Sequence, residues 1–266
     1  MRKILAFAVY MTLVLNVIPV FSESFEEIIK KAQEGNAEAQ YVLGSRYSLG
    51  EEVVQDYFEA IRWFNKAAIQ NHVYAQINLG FFYYHGYGVK QNYTEAVKWW
   101  KKAALQGNPY AQYNMGNAYY RGHGVKHDIW EALKWYRKSA EQGYSAAQYN
   151  IGLAYYTGEG VKQDYSEAFK WYFKAAEQGL AEAQYSLGVM YSLGKAVVQD
   201  DSQAVKWFYE AAQQNNADAQ YNLGIMYYNG RGVIQDKLEA VKWLRKAAQQ
   251  GEPYAQNVLK QLGEKW

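Results

Sequence analysis

The stretch AFKWYFKAAEQG sets apolar residues Ala168, Phe169, Trp171, Tyr172, Ala175 and Ala176 at i, i+1, i+3, i+4, i+7 and i+8. That spacing is the broad stripe of a helix packed along one side. Just before it, SAAQYNIGLAYYTGEG places Ala147, Ile151, Gly152 and Tyr155 at helical spacing and then turns polar and glycine-rich. The pattern predicts a helix pair, A then B, and the pair recurs. Ala-Gln returns every 36 residues at Ala39, Ala75, Ala111, Ala147, Ala183, Ala219 and Ala255. A glycine follows five residues later at Gly44, Gly80, Gly116, Gly152, Gly188 and Gly224, and a tryptophan keeps the same beat at Trp63, Trp99, Trp135, Trp171, Trp207 and Trp243.

The polar positions punctuate the apolar ones. Helix B is predicted to start at Asp56, Asn92, Asp128, Asp164, Asp200 and Asp236, with Glu or Gln three residues on, the pattern of a capping box. It is predicted to end at Gly35, Asn71, Gly107, Gly143, Gly179, Asn215 and Gly251, residue types that tolerate a left-handed backbone. Pro109 and Pro253 fall at the start of helix A, where a missing N–H is harmless. The glycines inside helix A each cost about 1 kcal/mol against alanine. Their recurrence predicts close helix approach around the tryptophan, whose loss from a core costs about 3–5 kcal/mol.

The ends are half units. Residues 23–36 align with helix B and 253–266 with helix A, so both read as capping helices on six repeats: 37–72, 73–108, 109–144, 145–180, 181–216 and 217–252. The prediction is an all-α superhelix of six helix pairs plus two caps, fourteen helices with no internal boundary.

Residues 1–22 differ from this pattern. Arg2 and Lys3 precede an apolar run from Ile4 to Phe21, and Val20 and Ser22 give the small-residue spacing of a cleavage site after Ser22. The segment is expected to be a signal peptide, with an uncleaved anchor as the rival reading. Removing it takes away two positive charges and leaves 26 Lys+Arg against 26 Asp+Glu. A balanced chain gives no reason to expect a nucleic-acid partner. With 50% hydrophobic residues the 266-residue chain is too apolar for disorder. It has no cysteine, which excludes thiol catalysis, cysteine-ligated zinc and a lipoprotein anchor.

The segment AQYNLGIMYYNGRGVIQDKLEAVKWLRKAAQQG, 219–251, resembles the Sel-one-like repeat, a 36-residue relative of the tetratricopeptide repeat. Length, Ala-Gln, Leu-Gly, Gly-x-Gly-Val and Trp all coincide, over Ser24 to Gly263. The second loop glycine is lost at Glu52 and Ala196, where differently shaped loops are expected. The resemblance implies a right-handed α-solenoid acting as a protein-interaction adaptor, often exported by bacteria to the envelope or the host interface.

It also implies that helix A lines a concave groove, with two exposed columns. One holds Tyr41, Ile77, Tyr113, Tyr149, Tyr185 and Tyr221; the other holds Ser48, Tyr84, Tyr120, Tyr156, Ser192 and Tyr228. Beside the second stand the varying residues Leu49, His85, Arg121, Thr157, Leu193 and Asn229. Tyrosine offers a broad face and a hydroxyl at low entropic cost, which suits binding a protein or peptide. The same tyrosines would also serve as packing between repeats.

Other chemistry is weaker. His123 and His127 are four apart, but His123 occupies a slot that varies freely (Glu51, Tyr87, Glu159, Lys195, Arg231) and His127 replaces a recurring Gln, so surface variation accounts for them better than a metal. SLGK, Ser192 to Lys195, matches the Ser-x-x-Lys spacing of penicillin-recognising hydrolases, without Ser-Asp-Asn or Lys-Thr-Gly elsewhere. The sequence implies no cofactor and no catalytic residue. It predicts an exported binding scaffold, with a periplasmic peptidoglycan-associated factor as the alternative and a hydrolase third.

Overall fold

The computed structural model describes residues 24–266, and the expected leader at 1–22 lies outside them. Among the described residues the regular elements are fourteen helices: α1 (Phe25–Gln33), α2 (Ala37–Leu49), α3 (Tyr57–Ile69), α4 (Val73–His85), α5 (Tyr93–Leu105), α6 (Pro109–Arg121), α7 (Ile129–Glu141), α8 (Ser145–Thr157), α9 (Tyr165–Glu177), α10 (Ala181–Leu193), α11 (Asp201–Gln213), α12 (Ala217–Asn229), α13 (Lys237–Gln249) and α14 (Pro253–Gln261). Helices α2, α4, α6, α8, α10 and α12 are helix A of the six repeats, and the odd-numbered helices α3 to α13 are helix B. Where the period alone marks no division, the backbone gathers into two compact units, the first ending at Asp128 and the second running from Ile129 to Trp266. None of these helices is long and apolar enough to cross a membrane.

Helix ends fall where the polar punctuation puts them. Asp56, Asp164, Asp200 and Asp236 each accept two backbone N–H groups of the first turn, and Asn92 accepts one. The reciprocal half of the capping box gives way to ion pairs one turn on. Glu59 meets Arg62 at 2.5 Å, Glu95 meets Lys98 at 3.3 Å and Glu239 meets Lys242 at 2.7 Å. The predicted stops are left-handed, including the two asparagines, Asn71 at φ 65° and Asn215 at φ 64°.

The tryptophan column is not what the helix-A glycines receive. They receive the next residue along helix B. A Cβ on Gly44 would lie 2.8 Å from the ring of Phe64, one on Gly152 2.7 Å from Tyr172, and one on Gly188 2.5 Å from Phe208; on Gly80 it would overlap the indole of Trp100. Phe64, Trp100, Tyr172, Phe208 and Leu244 are all buried. The tryptophans sit one position round the helix. Trp99 and Trp243 are buried, but Trp63, Trp135, Trp171 and Trp207 are only partly so. A lysine three residues on lies over the ring of Trp63, Trp99, Trp135, Trp171 and Trp243, at 3.9 to 4.7 Å from the centroid. Trp99 and Trp243 thus belong to the core clusters, while the other four form the flank, and lysine stems and cation–π contact shield most of the column.

The glutamine of Ala-Gln has its own reason. Gln40 donates to the Ala32 carbonyl at 3.0 Å and accepts from Gln70 at 2.8 Å. Gln76 repeats the arrangement with Ala68 and Gln106, and Gln184 with Ala176 and Gln214. Each buried amide thus reads the end of one helix B and is read by the end of the next.

Two loop expectations are corrected. Glu52 and Ala196 take φ 60° and 65°, the same left-handed backbone as Gly88, Gly124, Gly160 and Gly232, so these loops keep their shape. The backbone at this position is pressed against the start of the preceding helix B: a Cβ on Gly88 would lie 2.7 Å from Tyr57. The neighbouring slot that varies freely in sequence is also engaged. Tyr87 packs on Tyr57 at 5.5 Å, His123 stacks on Tyr93 at 4.4 Å, Lys195 donates to the Tyr165 hydroxyl at 3.3 Å, and Arg231 pairs with Asp201 at 2.8 Å. In each pair the partner stands 30 residues earlier, so the slot varies together with the helix start it clips.

Candidate functional site

The burial of the two predicted columns depends on what each tyrosine meets. Tyr41 and Ile77, expected to be exposed, are buried, and so is Ser48. Tyr41 is stacked on His72 at 4.6 Å and tilted against Phe64, and burial pushes its phenol up to about 12. Ile77 lies beneath the bulky Trp100, whose Nε1 donates to the Ile77 carbonyl at 3.3 Å. Ser48 donates to the Ser45 carbonyl at 2.7 Å. Both columns are thereby closed in the first repeat, and the first column also at Ile77 of the second.

Further along, the same columns open into concavities, one within each unit. In the first unit, Tyr84 and His85 at the end of α4, Trp100 on α5, and Tyr113, Asn114 and Arg121 on α6 line a cavity of about 480 Å³. In the second unit, Tyr149 and Tyr156 on α8, Tyr172 on α9, and Tyr185, Ser186 and Val189 on α10 line a cavity of about 280 Å³. The two are the same place in the repeat, since Tyr84, Trp100, Tyr113 and Asn114 correspond to Tyr156, Tyr172, Tyr185 and Ser186 two periods later. Of the ten predicted binding residues, four line the first-unit cavity and three the second-unit cavity. Tyr120 lies outside, at 41% exposure. Tyr221 packs on Tyr254 at 6.0 Å, and Tyr228 lies under Lys237, so neither enters these cavities.

The walls are phenol and indole with few charges. Tyr172 faces both Tyr149, at 5.5 Å between ring centres, and Tyr156, at 6.3 Å. Burial raises the pKa of Tyr149, Tyr172 and Tyr185, and Tyr110 in the first unit likewise, so these hydroxyls stay protonated. Tyr84 is fixed by its hydroxyl against His123 Nδ1 at 3.0 Å, and Tyr156 by Lys195 Nζ at 3.0 Å. Each loop clip thus also holds a groove tyrosine.

Trp100, Tyr172 and the polar residues Asn114 and Ser186 escaped the sequence reading. The first two sit in an apolar column and read as core. The signal for the others was a column of Val42, Asn78, Asn114, Asn150, Ser186 and Asn222, polar on an otherwise apolar helix face.

The two weaker chemistries dissolve into packing. Ser192 Oγ donates to the Val189 carbonyl at 2.9 Å while Lys195 is held by two tyrosine hydroxyls, which raise its pKa. A lysine acting as a base beside serine requires the opposite shift. His123 is clipped between Tyr84 and Tyr93, and His127 stands where glutamines in other repeats close the loop, as Gln91 does on the Tyr84 carbonyl at 2.7 Å.

Comparison with known proteins places this geometry. The sequence model of the Sel1 repeat matches residues 37–72, 73–108, 109–144, 145–180, 181–216 and 217–252. A crystal structure of a protective antigen present in uropathogenic Escherichia coli strains, displaying an SLR fold, is similar at 42% identity and a TM-score of 0.84, covering 88% of this chain and 50% of that one. This chain therefore spans half the length of that antigen. A Sel1 repeat protein from Oxalobacter formigenes is similar at 40% identity and a TM-score of 0.76, covering 81% of this chain and 89% of that one. No curated protein matches the chain. Sel1 repeats typically mediate protein–protein interaction, and the scaffold is generally non-enzymatic. Six repeats in register, each with its helix pair, establish that the chain belongs to the Sel1 repeat family, all-α solenoids of the tetratricopeptide-like superfamily.

Proposed function

We propose that this protein is an exported adaptor that binds a protein or peptide partner through its tyrosine-lined concavities. The observation that carries the reading is the recurrence of one aromatic constellation, two periods apart, as an open cavity in both units. The first repeat, by contrast, fills the equivalent columns with buried side chains. Aromatic rings held in place by neighbours contact a partner at little entropic cost, which suits reversible recognition. The leader-like residues 1–22 and the similarity to half of an E. coli protective antigen support a location in the envelope or outside the cell.

Photo-crosslinking residues placed at Tyr113 and Tyr185, with Tyr209 as an exposed control on helix B, test the reading in the native cell. One protein partner captured from the two groove positions and not from the control is expected. Equal capture from all three positions would sink the groove. Binding of the purified protein to cell-wall sacculi, abolished by the same substitutions, would replace the protein partner with peptidoglycan. Fractionation of the cell with an antibody to the chain tests export, and a cytoplasmic signal alone overturns that half of the proposal.

A further inference from the structure

We infer that the first-unit cavity is pH-sensitive through His85: an aliphatic side chain bound there is held less tightly as pH falls, while one in the second-unit cavity is not. The inference rests on the groove reading and adds how one of its two sites is regulated.

Imidazole is the side chain whose ordinary titration falls between pH 5 and 8. His85, at the C-terminal end of α4, is half-buried and lines the cavity together with Trp100 and Tyr113. Its ring packs on Phe81 at 4.4 Å, meets Tyr84 at 5.0 Å and stacks on Tyr87 at 5.5 Å. Tyr110 and Arg121 line the same space from α6. Burial keeps the Tyr110 phenol protonated and Arg121 is a permanent cation, so neither changes charge in this range. None of the described residues lining the cavity is a carboxylate.

The direction follows from what an occupant changes. The neighbouring rings favour an imidazolium whether the cavity is filled or empty, so they drop out of the difference. An aliphatic side chain displaces water from His85 and brings neither charge nor ring in return. Desolvation disfavours the charged imidazole, so the occupied cavity holds the histidine proton less tightly than the empty one. By linkage the occupant binds best to neutral His85 and loses affinity as pH falls through the histidine titration.

The second unit lacks this device. Thr157 stands at the position of His85, and its hydroxyl donates to the Leu153 carbonyl at 2.9 Å. The titratable groups lining that cavity are phenols. Lys195, which grips Tyr156, has its pKa raised by hydrogen bonds to Tyr156 and Tyr165 and stays charged. The matching clip in the first unit is a second imidazole, His123. It meets Tyr84 and Tyr93 and is not among the residues lining the cavity, so an occupant leaves its surroundings in place.

The test uses a short peptide, acetylated and amidated, with one leucine and no ionisable group, titrated at pH 8 and pH 5.5. Followed by NMR, the backbone amides of Tyr113 and Tyr185 report the two cavities separately. Affinity at the first is expected to be roughly threefold weaker at the lower pH, and at the second unchanged. His85→Thr and His85→Asn install the residues of the fourth and sixth repeats, and either should flatten the first profile. His123→Lys, which installs the second-unit clip, should leave it in place. Equal or tighter binding at pH 5.5 overturns the pH sensitivity while keeping the groove. So does a dependence that survives the His85 variants, disappears in His123→Lys, or appears equally at Tyr185. A peptide that perturbs neither amide at either pH overturns the groove reading and the pH sensitivity together.

Discussion

Gly80 and Trp100 occupy one space between them: the indole lies where a side chain on residue 80 would be, and Trp100 is 5% exposed. Helix propensity alone favours alanine over glycine by about 1 kcal/mol. At this position the overlap is with a rigid ring whose Nε1 is tied to the Ile77 carbonyl. We expect Gly80→Ala to destabilise by about 1–3 kcal/mol. Gly224→Ala, facing the flexible Leu244, should cost less. Thermal denaturation of the two variants ranks them, and a Gly80→Ala protein as stable as wild type refutes the packing account.

Ala196 offers the opposite case. It holds a left-handed backbone, φ 65°, at a site where four repeats carry glycine. Relief of roughly 1 kcal/mol is expected in Ala196→Gly, a rise in melting temperature of about 2–4 °C for a chain of this size. Gly124→Ala should fall instead, because its Cβ would meet the Tyr93 backbone. A lower melting temperature for Ala196→Gly would show that the alanine makes a contact worth more than the strain.

The glutamine ladder predicts an asymmetry within one hydrogen-bonded pair. Gln76 is fully buried and serves both the Ala68 carbonyl and Gln106, whereas Gln106 is exposed. Gln76→Leu removes both bonds, but the Ala68 carbonyl keeps the Asn71 N–H and exposed Gln106 turns to water, so it should cost about 1 kcal/mol. Gln106→Leu strands the buried Gln76 Oε1 without its donor and should cost more, about 1–3 kcal/mol. Urea melts of both variants check the order, and equal losses would mean that the ladder is not the source of stability.

Alkaline pH should loosen the first repeat. Tyr41 ionises near pH 10 in the unfolded chain and at about 12 when folded, because burial disfavours the phenolate. The folded state therefore holds its proton more tightly, so this contribution is complete below pH 10 and is lost as pH rises through the folded value. The loss amounts to about 2–3 kcal/mol when the window is crossed. Tyr41→Phe removes the ionisable group, and its stability should fall less steeply over that window in urea melts at stepped pH. Parallel curves for the two proteins would count against a buried phenol at this site.

Much of the fold was legible because a repeat states the same physical requirement six times. The left-handed stops at Asn71 and Asn215 and the N-caps at Asp56 and Asp164 are local, set by a few neighbouring backbone groups. The site was legible only in part. That tyrosines recur on helix A is written in the chain, but Tyr41 is buried and Tyr120 is 41% exposed. The difference lies in partners from other helices, and no periodicity within one helix reports them.

The sequence by itself determined the period, the helix pairs, their ends and the kinship with Sel1 repeats, since each follows from short-range pattern and capping chemistry. Tertiary structure decided which column is the core, by pressing glycines 44, 80 and 152 against the residue after each tryptophan rather than against the tryptophan. It also turned a slot that varies freely into a clip between successive repeats, because residues 30 apart in sequence become neighbours only once the helices stack. The same stacking closed the columns in the first repeat and opened them into cavities around Tyr84, Tyr113, Tyr156 and Tyr185.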